Sequence, residues 1–302
     1  MKPQSEPDSS SCGLCGSTRA RELYTAKDHL SNSDEAFSIG RCLGCGVLRT
    51  LPAMSDGQLA RYYPDDYWGD VDVPSKKWID SSQSEKTRFL ARCGLEGGTI
   101  LDIGCGSGFF LRALDPNDWN RYGVEIGEKA SRAATDALGI GRVFTGTLIE
   151  SQWDNETFDV VIFWSALEHT NEPRANLVEA RRILKSGGTL IVQVPNAASY
   201  QARAFGGVWS ALDAPRHRYH FNQQTLGRLL DETGFKIYRS TFFSRSHNAH
   251  ALRQSLKAKL QVNRSALGLP LFLLSTPFIK PFDWLMTALG QGATLTVAAR
   301  SV

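Results

Sequence analysis

The sequence predicts an α/β protein with a Rossmann-like sheet, a small cysteine-clamped unit in front of it and an α-helical insertion near the C-terminus. Three observations carry this. Residues 99–110, TILDIGCGSGFF, read as a strand rich in β-branched residues, a turn with three glycines in five positions and the start of a helix. Apolar strand-like runs recur at 121–126, 158–163 and 189–194 with helical patterns between them, the alternation of a βαβ sheet. Ahead of these stand two C-x-x-C knuckles, Cys12/Cys15 and Cys42/Cys45, each followed by glycine.

Taken in order, residues 1–10 are polar and predict a disordered tail; they lack the apolar core of a signal peptide, so a reducing cytoplasm is expected. Residues 11–69 predict a zinc ribbon, because each knuckle presents two thiolates to one tetrahedral ion. Four cysteines leave that ion no open position, so its role would be structural; a redox pair or free thiols is the alternative. Leu23, Tyr24, Phe37 and Ile39 would form a core too small to stand without the metal. The aromatics of 62–68 either pack this unit against the main domain or line a substrate mouth. A linker is expected at 70–75 and the main domain over 76–302, entered through a helix at 81–93. Across 302 residues, 34 Lys and Arg face 31 Asp and Glu with no basic stripe, so nucleic acid is not the expected partner.

A ligand is expected on the glycine turn, since amides at a helix N-terminus are unpaired and carry partial positive charge. Glu125 ends the next strand about twenty residues on, where an acid accepts hydrogen bonds from ribose hydroxyls. A dinucleotide fingerprint has glycine where Phe109 stands, so pyrophosphate fits poorly. The run LDIGCGSG at 101–108 resembles motif I of class I S-adenosylmethionine (SAM) dependent methyltransferases, and the resemblance extends from about residue 100 to 300. It implies a seven-stranded sheet whose last strand runs antiparallel between the fifth and sixth. It also implies SAM as cofactor, with contacts from Asp102, Gly104, Gly106, Gly108, Glu125, Ile126, Thr147, Leu148 and Trp164.

The fourth strand is followed by Glu168-His169 and then Pro173, a pattern that resembles a branch containing ubiquinone-pathway O-methyltransferases and enzymes of glycan gene clusters. Some of those relatives add an earlier glutamate and bind a divalent metal; Ser165 stands at that position here, so Glu168 and His169 either help hold a metal, orient substrate or shape the turn. Residues 197–221 follow the fifth strand and are expected to hang over the cofactor as an active-site loop. Asp213, Pro215-Arg216-His217 and Phe221 resemble enzymes of polysaccharide and lipopolysaccharide clusters. His217 is read as a base oriented by Asp213, or with Arg216 as a tether for the loop; His217, His169 and Asp213 are the catalytic candidates.

Between strands six and seven, 243–292 form a helical insertion. Arg253, Lys257 and Lys259 lie among apolar residues, and 266–279 is an apolar run broken by prolines and too short to cross a bilayer. It is either a buried cap or, through 266–289, a peripheral contact with the inner membrane face. The resemblance implies O-methylation of a sugar, a glycan or a lipid-linked small-molecule acceptor. The rivals are an rRNA methyltransferase with a zinc ribbon and a non-catalytic scaffold that keeps the SAM fold.

Overall fold

The computed structural model describes residues 11–28, 30, 35–63, 75–244, 247–262 and 267–302. The expected tail, residues 64–68 of the aromatic cluster and all of the expected linker but Ser75 lie outside them.

Three strands come first, β1 (Ala20–Lys27), β2 (Ala36–Cys42) and β3 (Leu48–Leu51), followed by helices α1 (Asp56–Ala60) and α2 (Lys76–Arg92). The alternating portion contains β4 (Gly98–Ile103), α3 (Phe109–Ala113), β5 (Trp119–Glu125), α4 (Glu128–Leu138), β6 (Val143–Thr145), α5 (Leu148–Ser151), β7 (Phe158–Trp164), α6 (Pro173–Ile183) and β8 (Leu184–Pro195). Beyond it lie α7 (Tyr200–Phe205), β9 (Tyr219–His220), α8 (Gln223–Glu232), β10 (Phe235–Thr241), α9 (His247–Lys259), α10 (Gly268–Ala288) and β11 (Thr294–Ser301).

The large sheet has the order β10-β11-β8-β7-β4-β5-β6. β11 is antiparallel to both neighbours and the other pairings are parallel, as the resemblance implied. Val160, Val161, Ile162 and Phe163 on central β7 are fully buried, because helices cover both faces of a parallel strand. Leu90, Phe110 and Ala134 pack with Ile162 and Ile191 on one face, while Leu177, Leu229 and Leu230 pack with Val161 and Leu190 on the other. Ser75 caps α2 by accepting from the Trp78 amide, so that helix begins earlier than expected. Lys185–Gly188 bulges within β8, whose pairing with β7 jumps from Leu184 to Thr189, with Gly187 at φ +72°.

The N-terminal strands form a second sheet, β1-β2-β3-β9, and its fourth strand comes from the expected active-site loop. Leu48 pairs with His220 and Arg49 with Tyr219. Trp209, Leu212 and Ala214 from that segment pack with Phe37, Ile39 and Leu59 into one core. The small unit is therefore completed by the main domain, and 197–221 is a folded connector carrying α7, two 3₁₀ turns and β9.

The insertion also departs from expectation. α10 runs unbroken through Pro277 and Pro281; both prolines are exposed, where their missing hydrogen bonds fall on the wet side of the helix. α9 covers the 197–221 segment, with Ser255 Oγ accepting from the Ser210 amide at 2.9 Å and Leu252 packed on Tyr200. Among the described residues no helix is long and apolar enough to cross a membrane.

Candidate functional site

β4, β5 and β7 end side by side, and glycines shape the turn after β4. Gly104, Gly106 and Gly108 have φ of +72°, +55° and +74°, a region that other residues rarely adopt. A Cβ on Gly104 would stand 2.9 Å from that of Ala166, whereas one on Gly106 would meet no atom within 4 Å. The first glycine packs the turn against the end of β7, and the second faces open space. Glu125 is buried at the end of β5 and accepts from the Gly106 amide at 2.8 Å and the Gly127 amide at 2.7 Å. Burial raises its pKa against the pull of those amides. Asp102 is also buried, one of its oxygens has no partner among the described residues, and burial pushes it to about 7 despite Lys86 nearby.

Lys86 is a residue the sequence reading missed. It sits on α2 with Nζ 5.3 Å from the centroid of the Trp164 ring and 5.8 Å from that of Phe110, and burial lowers its pKa while Asp102 opposes the shift. With Phe89, Trp164, Gln193 and His247 it lines a cavity of about 290 Å³. A lysine on a helix resembles any solvated lysine in sequence; only the fold sets it against Asp102. Of the remaining cofactor candidates, Ile126 is 57% exposed. Thr147 caps α5 through the Glu150 amide, and Leu148 is buried in the core, so both of those side chains serve the fold.

A second cluster lies beyond β7, where a 3₁₀ turn at Leu167–His169 buries Glu168 completely. His217 meets it there. Its Nε2 is 4.0 Å from Glu168 Oε1 and 3.8 Å from Asp213 Oδ2, and its ring meets His169 edge to face with centroids 4.5 Å apart. His217 Nδ1 is 3.1 Å from the Ala211 carbonyl oxygen. A carbonyl only accepts, so Nδ1 carries the hydrogen and Nε2 the lone pair. Asp213 therefore does not orient the imidazole as expected: the Ala211 carbonyl does, and Asp213 faces the basic nitrogen. Burial lowers His217 to about 4, with Asp213 pulling the other way, and lowers His169 to about 3. Burial raises Glu168 to about 8, and neither of its oxygens has a hydrogen-bond partner among the described residues. Glu168, His169 and His217 offer three ligand atoms within 4.8 Å of one another, and none of the three lines the cavity beside Lys86.

Arg216, fully buried, is the tether. Nη2 donates to Asp28 Oδ1 at 2.6 Å and Asp213 Oδ1 at 2.7 Å, and Nη1 to the Tyr62 carbonyl at 2.7 Å. Thr50 Oγ1 on β3 donates to the His217 carbonyl at 2.6 Å. Farther along the same small sheet, Cys12 and Cys45 sulfurs are 3.8 Å apart and those of Cys15 and Cys42 3.5 Å, all four lying within 4.8 Å as free thiols. Zinc–sulfur bonds at the tetrahedral angle put sulfurs about 3.8 Å apart, so the donor set and spacing fit that ion.

A profile of the family described as "Methyltransferase domain" matches residues 78–240. The chain is 31% identical over 134 residues to a protein named ubiquinone biosynthesis O-methyltransferase from Maricaulis maris, covering 41% of this chain and 53% of that one. It is 26% identical over 180 residues to the protein of the same name from Pseudomonas aeruginosa, covering 56% and 73%. The chain thus spans about half the length of the first of these relatives. Among solved structures, the [4+2]-cyclase SpnF shares 20% identity at a TM-score of 0.50, over 77% of this chain and 84% of that one. The PH0226 protein of Pyrococcus horikoshii shares 14% at 0.50, over 80% and 99%. At these identities the likeness is one of fold.

Proposed function

The chain belongs to the methyltransferase-domain family and is a SAM-dependent methyltransferase, and from that premise we propose that it methylates a hydroxyl of a small acceptor with His217 taking the proton. The observation that supports this reading is the neutral His217 imidazole, whose lone pair at Nε2 lies between the carboxyl groups of Glu168 and Asp213. The names of the relatives above support oxygen as the atom methylated. A sugar, a glycan or a lipid-linked small molecule remains the acceptor class we propose.

SAM supplies the electrophilic methyl group when bound. Glu125 would hold its ribose hydroxyls, Asp102 its ammonium and Lys86 its carboxylate; the Asp102 oxygen that has no partner among the described residues and the open space over Gly106 fit such a molecule. Positioning supplies much of the acceleration in an in-line displacement. As the acceptor oxygen attacks, its proton passes to His217 Nε2, and the imidazolium is then stabilised by Asp213. Zinc, held by Cys12, Cys15, Cys42 and Cys45, would keep the small sheet folded and take no part in transfer.

Glu125→Ala is expected to weaken SAM binding by roughly 10- to 100-fold in calorimetry, the worth of hydrogen bonds to a charged group. Intact affinity would move the cofactor away from β5. His217→Gln is expected to lower kcat by at least about a hundredfold with labelled SAM and a hydroxyl acceptor found by screening, and to leave SAM affinity unchanged. Undiminished turnover removes His217 as the base. In the wild type, kcat is expected to fall as pH drops through about 4, where His217 gains its proton, and to rise toward pH 8 as Glu168 ionises and strengthens the base.

One observation favours a second reading: among the described residues neither oxygen of Glu168 has a hydrogen-bond partner, and two imidazoles stand beside it. Glu168, His169 and His217 would then hold a divalent ion that polarises the acceptor oxygen. Metal analysis separates the two. One ion per chain, lost in Cys42→Ser, fits the base; a second ion, lost in Glu168→Gln, makes His217 a ligand.

A further inference from the structure

α10 buries little of itself. Gly268, Phe272, Ile279 and Asp283 face the protein, while Leu267, Leu271, Leu274, Phe278, Phe282 and Leu285 are each about half exposed or more, Leu274 and Phe278 reaching 71%. Their spacing of four, three, four, four and three residues keeps them on one helical face, an apolar stripe about 30 Å long. Scattered exposed leucines are ordinary, but a continuous stripe on one helix marks a contact surface.

Charge decides what covers it. Residues 243–292 contain six Lys and Arg but a single acid, so this segment alone carries +5 against +3 for the whole chain. The acid, Asp283, is buried and accepts from the Tyr200 hydroxyl at 2.9 Å. Arg253 and Lys257 of α9 lie over the Phe272 ring at the root of α10. Symmetric pairing with a second copy would press two +5 segments together, which is repulsive. An exposed apolar helix in a segment of this net charge suits the boundary of an anionic bilayer.

We infer that α10 lies flat on an anionic phospholipid surface, and that the methyl acceptor is an amphiphile met at that surface. The insertion leaves the main domain at Phe243, Ser244 and His247, which line the cavity beside Lys86, so docking of the insertion tethers that cavity to the bilayer surface. The acceptor class rests on the methyltransferase reading; docking itself does not.

The test is flotation of the full chain with vesicles of phosphatidylcholine alone or with roughly 30% phosphatidylglycerol. Wild type is expected to float with the anionic vesicles only. Leu274→Glu with Phe278→Glu is expected to stay at the bottom of the gradient with SAM binding unchanged, since both side chains are already mostly in solvent. Lys257→Glu is expected to weaken partitioning by at least about fivefold, the worth of one basic residue near such a surface. Wild type that fails to float, or a double variant that floats equally well, overturns docking. So does a dimer in sedimentation that the double substitution dissociates without any vesicle binding, which assigns the stripe to a second copy. Flotation without SAM binding would instead leave docking intact and overturn the methyltransferase reading.

Discussion

Cys42→Ser is expected to empty the sulfur cluster of metal and to cut turnover by about a hundredfold, while SAM affinity stays within roughly threefold. Cys42 is buried at the end of β2, and its sulfur lies 3.5 Å from that of Cys15. Losing one of four ligands removes most of the free energy by which a structural ion holds so small a unit. Thr50 on the adjoining β3 fixes the His217 carbonyl, and Asp28 after β1 fixes Arg216. Loosening that sheet lets the imidazole drift, and a displacement of about 1 Å in a catalytic group can cost a hundredfold. The glycine turn and Glu125 belong to the other sheet, so cofactor binding is spared. Metal analysis, turnover and calorimetry on one preparation check all three. Full turnover in metal-free protein would separate the cluster from catalysis.

Arg216→Ala is expected to lower stability by about 3–5 kcal/mol, because it leaves Asp28 and Asp213 buried without the guanidinium that faces both. For a chain of this size that corresponds to a fall in Tm of the order of 10 °C. Arg216→Lys keeps the charge but loses the fork that reaches two carboxylates and the Tyr62 carbonyl together, so it is expected to recover less than half. Scanning calorimetry reads both. A shift below about 2 °C for the alanine variant would show that the paired carboxylates tolerate each other by taking up protons.

Features encoded in short stretches were legible. The glycine turn, Glu125, the apolar run of β7 and the paired knuckles each carry their signal within a few residues, and each lies where the spacing predicts. Interactions between distant segments were not. Nothing in Tyr219-His220 marks a strand, since its partner is Leu48-Arg49 and the pairing exists only once both domains are in place. Arg216 lies in the same stretch as His217, and motif position alone does not show which of the two ties the segment down; the bonds of Arg216 to Asp28, Asp213 and the Tyr62 carbonyl do. Lys86 acquires meaning only from Asp102 and Trp164 across the helix–sheet interface. The prolines of α10 misled because their effect depends on which side of the helix they fall.

The strand contributed by Tyr219–His220 also imposes an order on biogenesis. The N-terminal strands leave the ribosome first, yet β3 waits for a partner made about 170 residues later, between Leu48 and His220. Until then its outer edge is an open template for other chains. Late closure of this kind slows folding and lengthens the period of aggregation risk. The N-terminal unit is thus a poor cassette: excised or grafted elsewhere it would keep its thiols and lose its last strand.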